Sequence, residues 1–241
     1  MLQHASSGPR ASDTRPVPRW ALLGLLLLAA IGLVACQIIE ARTRYAVEIV
    51  AEGQTWDDAS LDTILDALDR LPPHVVKRLG SRHYGRLHVL SNARSLTMSG
   101  WMPYPDGANF YTNQGGQNQL VLYPNQGVFT VLHELGHAYQ MRLIPDGRYA
   151  WVFFQVEMRD FMAATGWQLL SSDEEVARAS EIYELRFSYD GPQIWQTLSN
   201  PDPTEDYANS FALFFLDPER LRELSPLRYE WMRQHVATDE R

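Results

Sequence analysis

Residues 133 to 137 read His133-Glu134-Leu135-Gly136-His137, and this pentapeptide restricts the fold more than any other stretch of the chain. Two histidines four apart share a face only on a helix, where the Cβ atoms of such a pair lie about 5–6 Å apart. The flanks supply one: Val128, Val131, Leu132, Leu135 and Tyr139 recur at three- and four-residue steps, the period of an amphipathic helix laid on a core. Asn125 or Gly127 is the expected N-cap. One side of this helix is therefore buried, and another turns two imidazoles toward a common point where they can close on one ion. Glu134, one position beyond the first histidine, stands beside that ion, where a carboxylate can take a proton from a water at the metal. Gly136 costs a helix about 1 kcal/mol relative to Ala, which predicts that another part of the chain approaches closely there.

Catalytic zinc takes three protein ligands and leaves one position for water, so the chain must supply a third ligand from elsewhere. Residue 143 is Leu and residue 140 is Gln, which excludes the metzincin pattern with its further Gly and His. Glu205 is the first choice for the third ligand. It opens Glu205-Asp206-Tyr207-Ala208-Asn209-Ser210-Phe211-Ala212, with Thr204 or Asp202 as a helix cap. Asn209 then falls one turn on, where its side chain can orient His133. The small Ala208 suits close packing of two helices that share an ion. Glu157 is the rival, and Asp206 a further alternative. His74, His83 and His88 stand outside any ligand spacing.

The first 35 residues carry Arg10, Arg15 and Arg19 against Asp13 and then an apolar run, Trp20 to Ala35. Charge followed by such a run is the pattern of an export signal. It ends in Leu33-Val34-Ala35-Cys36, which resembles the bacterial lipobox, and Cys36 is the only cysteine of the 241 residues. The rival is an uncleaved single-pass anchor, since Trp20 to Ile39 has about the 20 residues needed to span. Residues 1–36 are thus read as a signal with lipobox or as a membrane anchor. Residues 37–52 are read as a tether or first strand, and 53–241 as one exported, membrane-anchored domain. Without a later cysteine, that domain has no disulfide and depends on its core and its metal. The net charge is −8 overall and −10 once the +2 of the first 35 residues is removed. That acidity argues against a nucleic-acid partner.

Elsewhere the periodicities predict a helix over Asp57 to Leu71, stopped by Pro72-Pro73, and a short one over His74 to Leu79. A strand is expected at Gly85 to Leu90, and a hairpin from Asn109-Phe110-Tyr111 and Gln119 to Tyr123 leads into the metal helix. An extended strand beside a metal site is a natural docking edge for a peptide. Helices follow at Tyr149–Ala164, Asp173–Tyr183 and Glu205–Phe215, with one or two more over Asp217–His235. The fold class is α+β, mainly helical with a small mixed sheet ahead of the metal helix.

The pair of blocks His133-Glu134-Leu135-Gly136-His137-Ala138 and Glu205 to Ala212 resembles the zincin metallopeptidases of the glutamate-ligand (gluzincin) class, most of all the catalytic domain of anthrax lethal factor and its relatives. Leu224-Ser225-Pro226-Leu227-Arg228-Tyr229-Glu230-Trp231-Met232 is similar to the Ala-Pro-x-x-aromatic stretch that ends that domain. The similarity spans residues 105–235 and is tight only in these short blocks. Asn209 stands where the family has a second glutamate, and the spacer between the motifs is longer here. The resemblance implies a zincin-like fold and one Zn2+ per chain held by His133, His137 and Glu205. It also implies a peptidase acting on peptide or protein substrates, with Glu134 as general base. A non-catalytic binding module on the same scaffold, or a zinc amidase acting on cell-wall material, are the alternatives. Tyr183, Tyr189 and Tyr207 are candidates by residue type for the donor that a developing oxyanion needs beside the metal. The loops Asn109–Asn118 and Ile144–Arg148 are expected to shape specificity.

Overall fold

The computed structural model describes residues 19–45, 47–50, 56–91, 109–113, 116–124, 126–191 and 202–239. Over them the chain is a mixed α+β fold, mainly helical, with a four-stranded mixed sheet and a separate two-stranded ribbon. Helix α1 (Arg19–Arg44) carries the apolar run and continues through Cys36. Residues 37–44, expected as a tether, belong to this helix, because Val34, Gln37, Ile38 and Ala41 turn to the domain and pack on its core. Tyr45 then donates to Asp69 Oδ1 at 2.5 Å. Among the described residues no helix is long and apolar enough to cross a membrane.

Strand β1 (Glu48–Ile49) pairs in parallel with β2 (His88–Ser91). β2 runs parallel to β4 (Gln119–Leu122), and β3 (Phe110–Thr112) closes the sheet antiparallel to β4. The order is β1-β2-β4-β3, which leaves β3 at one edge among the described strands. Val89, Leu90, Leu120, Val121 and Leu122 are all buried, as fits central parallel strands covered on both faces.

Between β1 and β2, α2 (Asp58–Asp69) starts where the Asp57 carboxylate accepts from Ser60 N at 2.7 Å. It buries Leu61, Ile64 and Leu68. α3 (Pro73–Arg78) begins with proline at its first turn, where the missing N–H costs nothing.

Helix α4 (Val128–Met141) carries both histidines, is entered at Gly127, and buries Val131, Leu132, Leu135, Ala138 and Tyr139. The single helix expected over Tyr149–Ala164 is two pieces: a 3-10 turn (Tyr149–Phe154) and α5 (Val156–Thr165), separated by an extended Gln155. Arg159 Nε donates to Phe153 O at 2.6 Å and takes up a carbonyl at the break. Gly166, at φ 94°, caps α5 in the left-handed conformation that glycine adopts without a Cβ penalty.

Helix α6 (Asp173–Arg178) opens in a capping box between Ser172 and Glu175. It stops short of Tyr183, because the Glu184 carboxylate accepts from Ser180 N and Glu181 N and turns the chain into a 3-10 segment, Ile182–Glu184. β5 (Trp167–Leu169) and β6 (Phe187–Tyr189) form an antiparallel ribbon that the sequence reading did not anticipate. Helices α7 (Pro203–Leu216), α8 (Pro218–Leu224) and α9 (Pro226–His235) each begin with proline behind an Asp or Ser cap.

Candidate metal centre

Two helices build the site. α4 presents His133 and His137 from successive turns, and α7 presents Glu205 from its first turn. That turn is fixed by Asp202, whose carboxylate accepts from Thr204 N at 2.8 Å and Glu205 N at 3.2 Å. The two helices meet at Gly136: a Cβ there would stand 3.1 Å from Ala208 Cα and 3.2 Å from Phe211 Cβ. This is the close approach that a mid-helix glycine predicts, and it brings Glu205 across to the histidines.

His133 Nε2 lies 3.3 Å from Glu205 Oε2, and His137 Nε2 lies 3.3 Å from Glu205 Oε1. The two Nε2 atoms are 3.2 Å apart. Ligands at the usual zinc distances of about 2.0–2.2 Å in tetrahedral array stand about 3.3 Å from one another. The triangle therefore has the size of one tetrahedral face, and the three side chains could hold a metal ion. Among the described residues no other group of His, Cys, Asp and Glu has such proximity. His133 Nδ1 is 3.0 Å from Asn209 Oδ1. With that amide oxygen accepting, Nδ1 carries the proton and the Nε2 lone pair faces the centre of the triangle.

Electrostatics separate the two carboxylates. Burial raises the Glu134 carboxyl above its ordinary range, an effect His137 and His133 only partly offset. Burial would raise Glu205 as well, but His133 and His137 outweigh it and hold the acid well below its usual range. Burial works to lower His137, yet hydrogen bonding and charge from Glu205 hold its imidazole up at about 9.

The alternative ligands are engaged elsewhere. Glu157 pairs with Arg142 at 3.0 Å and accepts from the Tyr207 hydroxyl at 3.3 Å. Asp206 is buried against Arg228, accepting from its Nε at 2.8 Å and its Nη2 at 2.5 Å, and from Trp167 Nε1 at 2.7 Å. His74 Nε2 lies against Val236 O at 2.8 Å.

The triangle opens into a cavity of about 410 Å3. Asn109, Tyr111 and Tyr149 form part of its wall, together with Glu134, Glu181 and Asp202. From Ile144–Arg148 no residue lines it; Ile144 is buried and its carbonyl accepts from Asn113 Nδ2. Nor do the three tyrosines named from sequence reach it. Tyr183 is 85% exposed. The Tyr189 hydroxyl accepts from Arg228 at 3.0 Å, and that of Tyr207 is committed to Glu157. Asn109 and Tyr111 come from the Asn109–Asn118 segment expected to shape specificity, whereas Tyr149 has no sequence signal and reaches the cavity only through the 3-10 turn.

Cys36 is exposed on α1. Compared with models of known families and with curated proteins, the chain matches none.

Proposed function

We propose that the chain is an exported, membrane-anchored zinc peptidase of the glutamate-ligand zincin class, with a lethal factor-like catalytic domain. The reading is carried by one observation: His133, His137 and Glu205, 68 positions beyond the second histidine in sequence, close a triangle of 3.2 to 3.3 Å beside a buried Glu134. A scaffold kept only for binding has no use for Glu134 in that place.

Zinc held by His133, His137 and Glu205 would acidify a water, from a pKa of about 15.7 toward 7, and would polarise the substrate carbonyl. Glu134, with its carboxyl raised by burial, accepts the proton that this water releases. The water oxygen bonds to the carbonyl carbon, the C–N bond breaks, and Glu134 returns the proton to the departing amine. Acid and amine are the products, and Glu134 is regenerated. Asn209 holds the His133 ring by Nδ1, which leaves Nε2 free to serve as a ligand beside His137 and Glu205. The edge strand β3 offers a peptide backbone a place to align beside the cavity. Anchoring through the apolar run and Cys36, as a lipoprotein or a single-pass helix, puts the site outside the cytoplasm.

Glu134→Gln tests the chemistry. The variant is expected to keep about one zinc per chain and to lose peptide turnover by several orders of magnitude. Turnover equal to the wild type would remove the general-base role. Cell-wall amides assayed beside peptides decide the bond: cleavage of those alone would make the protein an amidase.

A further inference from the structure

We propose that Tyr111 gives the hydrogen bond that a substrate carbonyl oxygen receives from the protein at this site, an inference that rests on the peptidase reading. The cavity is rich in acceptors: Glu134, Glu181, Asp202 and Glu205 all border it. A carbonyl oxygen that gains negative charge needs the opposite, a donor aimed at it. Besides the two histidines, the described wall residues with a side-chain N–H or O–H to offer are Asn109, Tyr111, Tyr149 and Thr204.

Three of these four are committed. Asn109 Nδ2 donates to Gln126 Oε1 at 3.0 Å, while its Oδ1 accepts from Tyr123 N at 2.8 Å. The Tyr149 hydroxyl lies 2.9 Å from Thr112 Oγ1 and accepts from Asn113 N at 3.0 Å. Thr204 Oγ1 donates to Asp202 at 2.5 Å. The Tyr111 hydroxyl is closed to solvent and has no hydrogen-bond partner among the described residues. A buried polar atom without a partner costs stability, and of the side-chain atoms in that state among the described residues only the Tyr111 hydroxyl belongs to a residue that borders this cavity.

The position suits the task. Tyr111 sits on β3, the edge strand of the sheet, opposite Leu120 of β4. A tilt of the ring into the cavity it borders carries the hydroxyl toward a bound substrate and satisfies it there. Burial, with Tyr149 and Tyr84 adding to it, holds the phenol above its ordinary pKa, so it keeps its proton and remains a donor at neutral pH. Tyr111 does not take up or release a proton in the reaction. It stabilises the electron pair that moves onto the carbonyl oxygen as the water oxygen bonds to carbon.

Tyr111→Phe in the full chain tests this with readouts that move in different directions. Zinc content is expected to stay at one per chain, and the melting temperature to hold or rise, since an unsatisfied hydroxyl is removed. For a peptide selected from a quenched fluorescent library, kcat is expected to fall about 100-fold with KM within a few-fold. An N-phosphoryl dipeptide, a tetrahedral oxyanion mimic, is expected to bind about 100-fold more weakly by calorimetry. Tyr149→Phe serves as the structural contrast: its hydroxyl is bonded, so that variant is expected to melt lower. A Tyr111→Phe protein with wild-type kcat and wild-type affinity for the mimic would overturn the assignment. So would one whose melting temperature falls in step with its activity, since the hydroxyl would then be structural. Wild-type protein that neither cleaves peptides nor binds the mimic would overturn the peptidase reading, and the Tyr111 assignment with it.

Discussion

Glu134 and Glu205 are the same side chain put to opposite uses by their surroundings. Glu134 is buried, and burial outweighs the two nearby imidazoles and pushes its carboxyl up, toward the range useful to a base. Glu205 faces two imidazoles and is held down as a permanent anion, as a ligand must be. His137 completes the set, with its imidazole held up at about 9 while no ion is present. A ligand must give up that proton, so zinc binding is expected to release one proton per ion at pH 7.5. Affinity should then tighten by about tenfold per pH unit up to about 9. Calorimetry in two buffers of different ionisation enthalpy measures the release, and none at pH 7.5 would contradict the coupling. The stability of the metal-free chain follows the same group. A folded pKa raised from 6.5 to about 9 gives stabilisation that is full below about 6.5 and lost as pH rises through 9.

At the scale of elements, the site is a property of the contact between α4 and α7. Gly136→Ala gains about 1 kcal/mol of helix propensity. The added methyl meets Ala208 and Phe211 at 3.1 to 3.2 Å, and forcing helices apart costs about 1–3 kcal/mol. The variant is expected to melt no higher than wild type and to bind zinc at least tenfold more weakly, by competition with a chromophoric chelator. Unchanged affinity would mean that the close approach does not set the ligand triangle. Much of this contact was legible in the sequence, since a glycine inside a strong helical period signals a neighbour and a proline behind an acidic cap signals a helix start. The α2 stripe and the β3–β4 hairpin were legible for similar reasons. What escaped was decided by distant partners. Sequence favours Glu205 but leaves Glu157 and Asp206 open as ligands, and only the fold sets Arg142 and Arg228 beside those two. The aromatic run Tyr149–Phe154 reads as helix by composition, but its buried Ala150, Val152 and Phe153 pack as a 3-10 turn. The β5–β6 ribbon has strands of three residues, too short for a period-2 signal.

For the whole molecule, α1 links the question of the anchor to the fold. Val34 and Ile38 pack on the core, so at most Trp20–Leu33, 14 residues, remain for a bilayer. At 1.5 Å per residue that is about 21 Å, short of the roughly 30 Å of a hydrocarbon core. A single-pass anchor would require this end of α1 to leave the domain, whereas cleavage before a lipidated Cys36 would remove residues 1–35 and keep Ile38 and Ala41 docked, with Cys36 exposed beside them. Cys36→Ser is therefore expected to release the protein from the membrane fraction, measured by fractionation with fatty-acid labelling. Full retention without label would favour the helical anchor. An ion held by His133, His137 and Glu205 would join two helices from distant parts of the chain and is expected to add stability by mass action. The most direct measurement is zinc content of the purified full chain by elemental mass spectrometry, with Glu205→Ala and Glu157→Ala beside it. About one zinc per chain in wild type and Glu157→Ala, and loss in Glu205→Ala, is the result expected. Zinc kept by Glu205→Ala, or no zinc taken up by the wild type after reconstitution, would contradict the three-ligand centre.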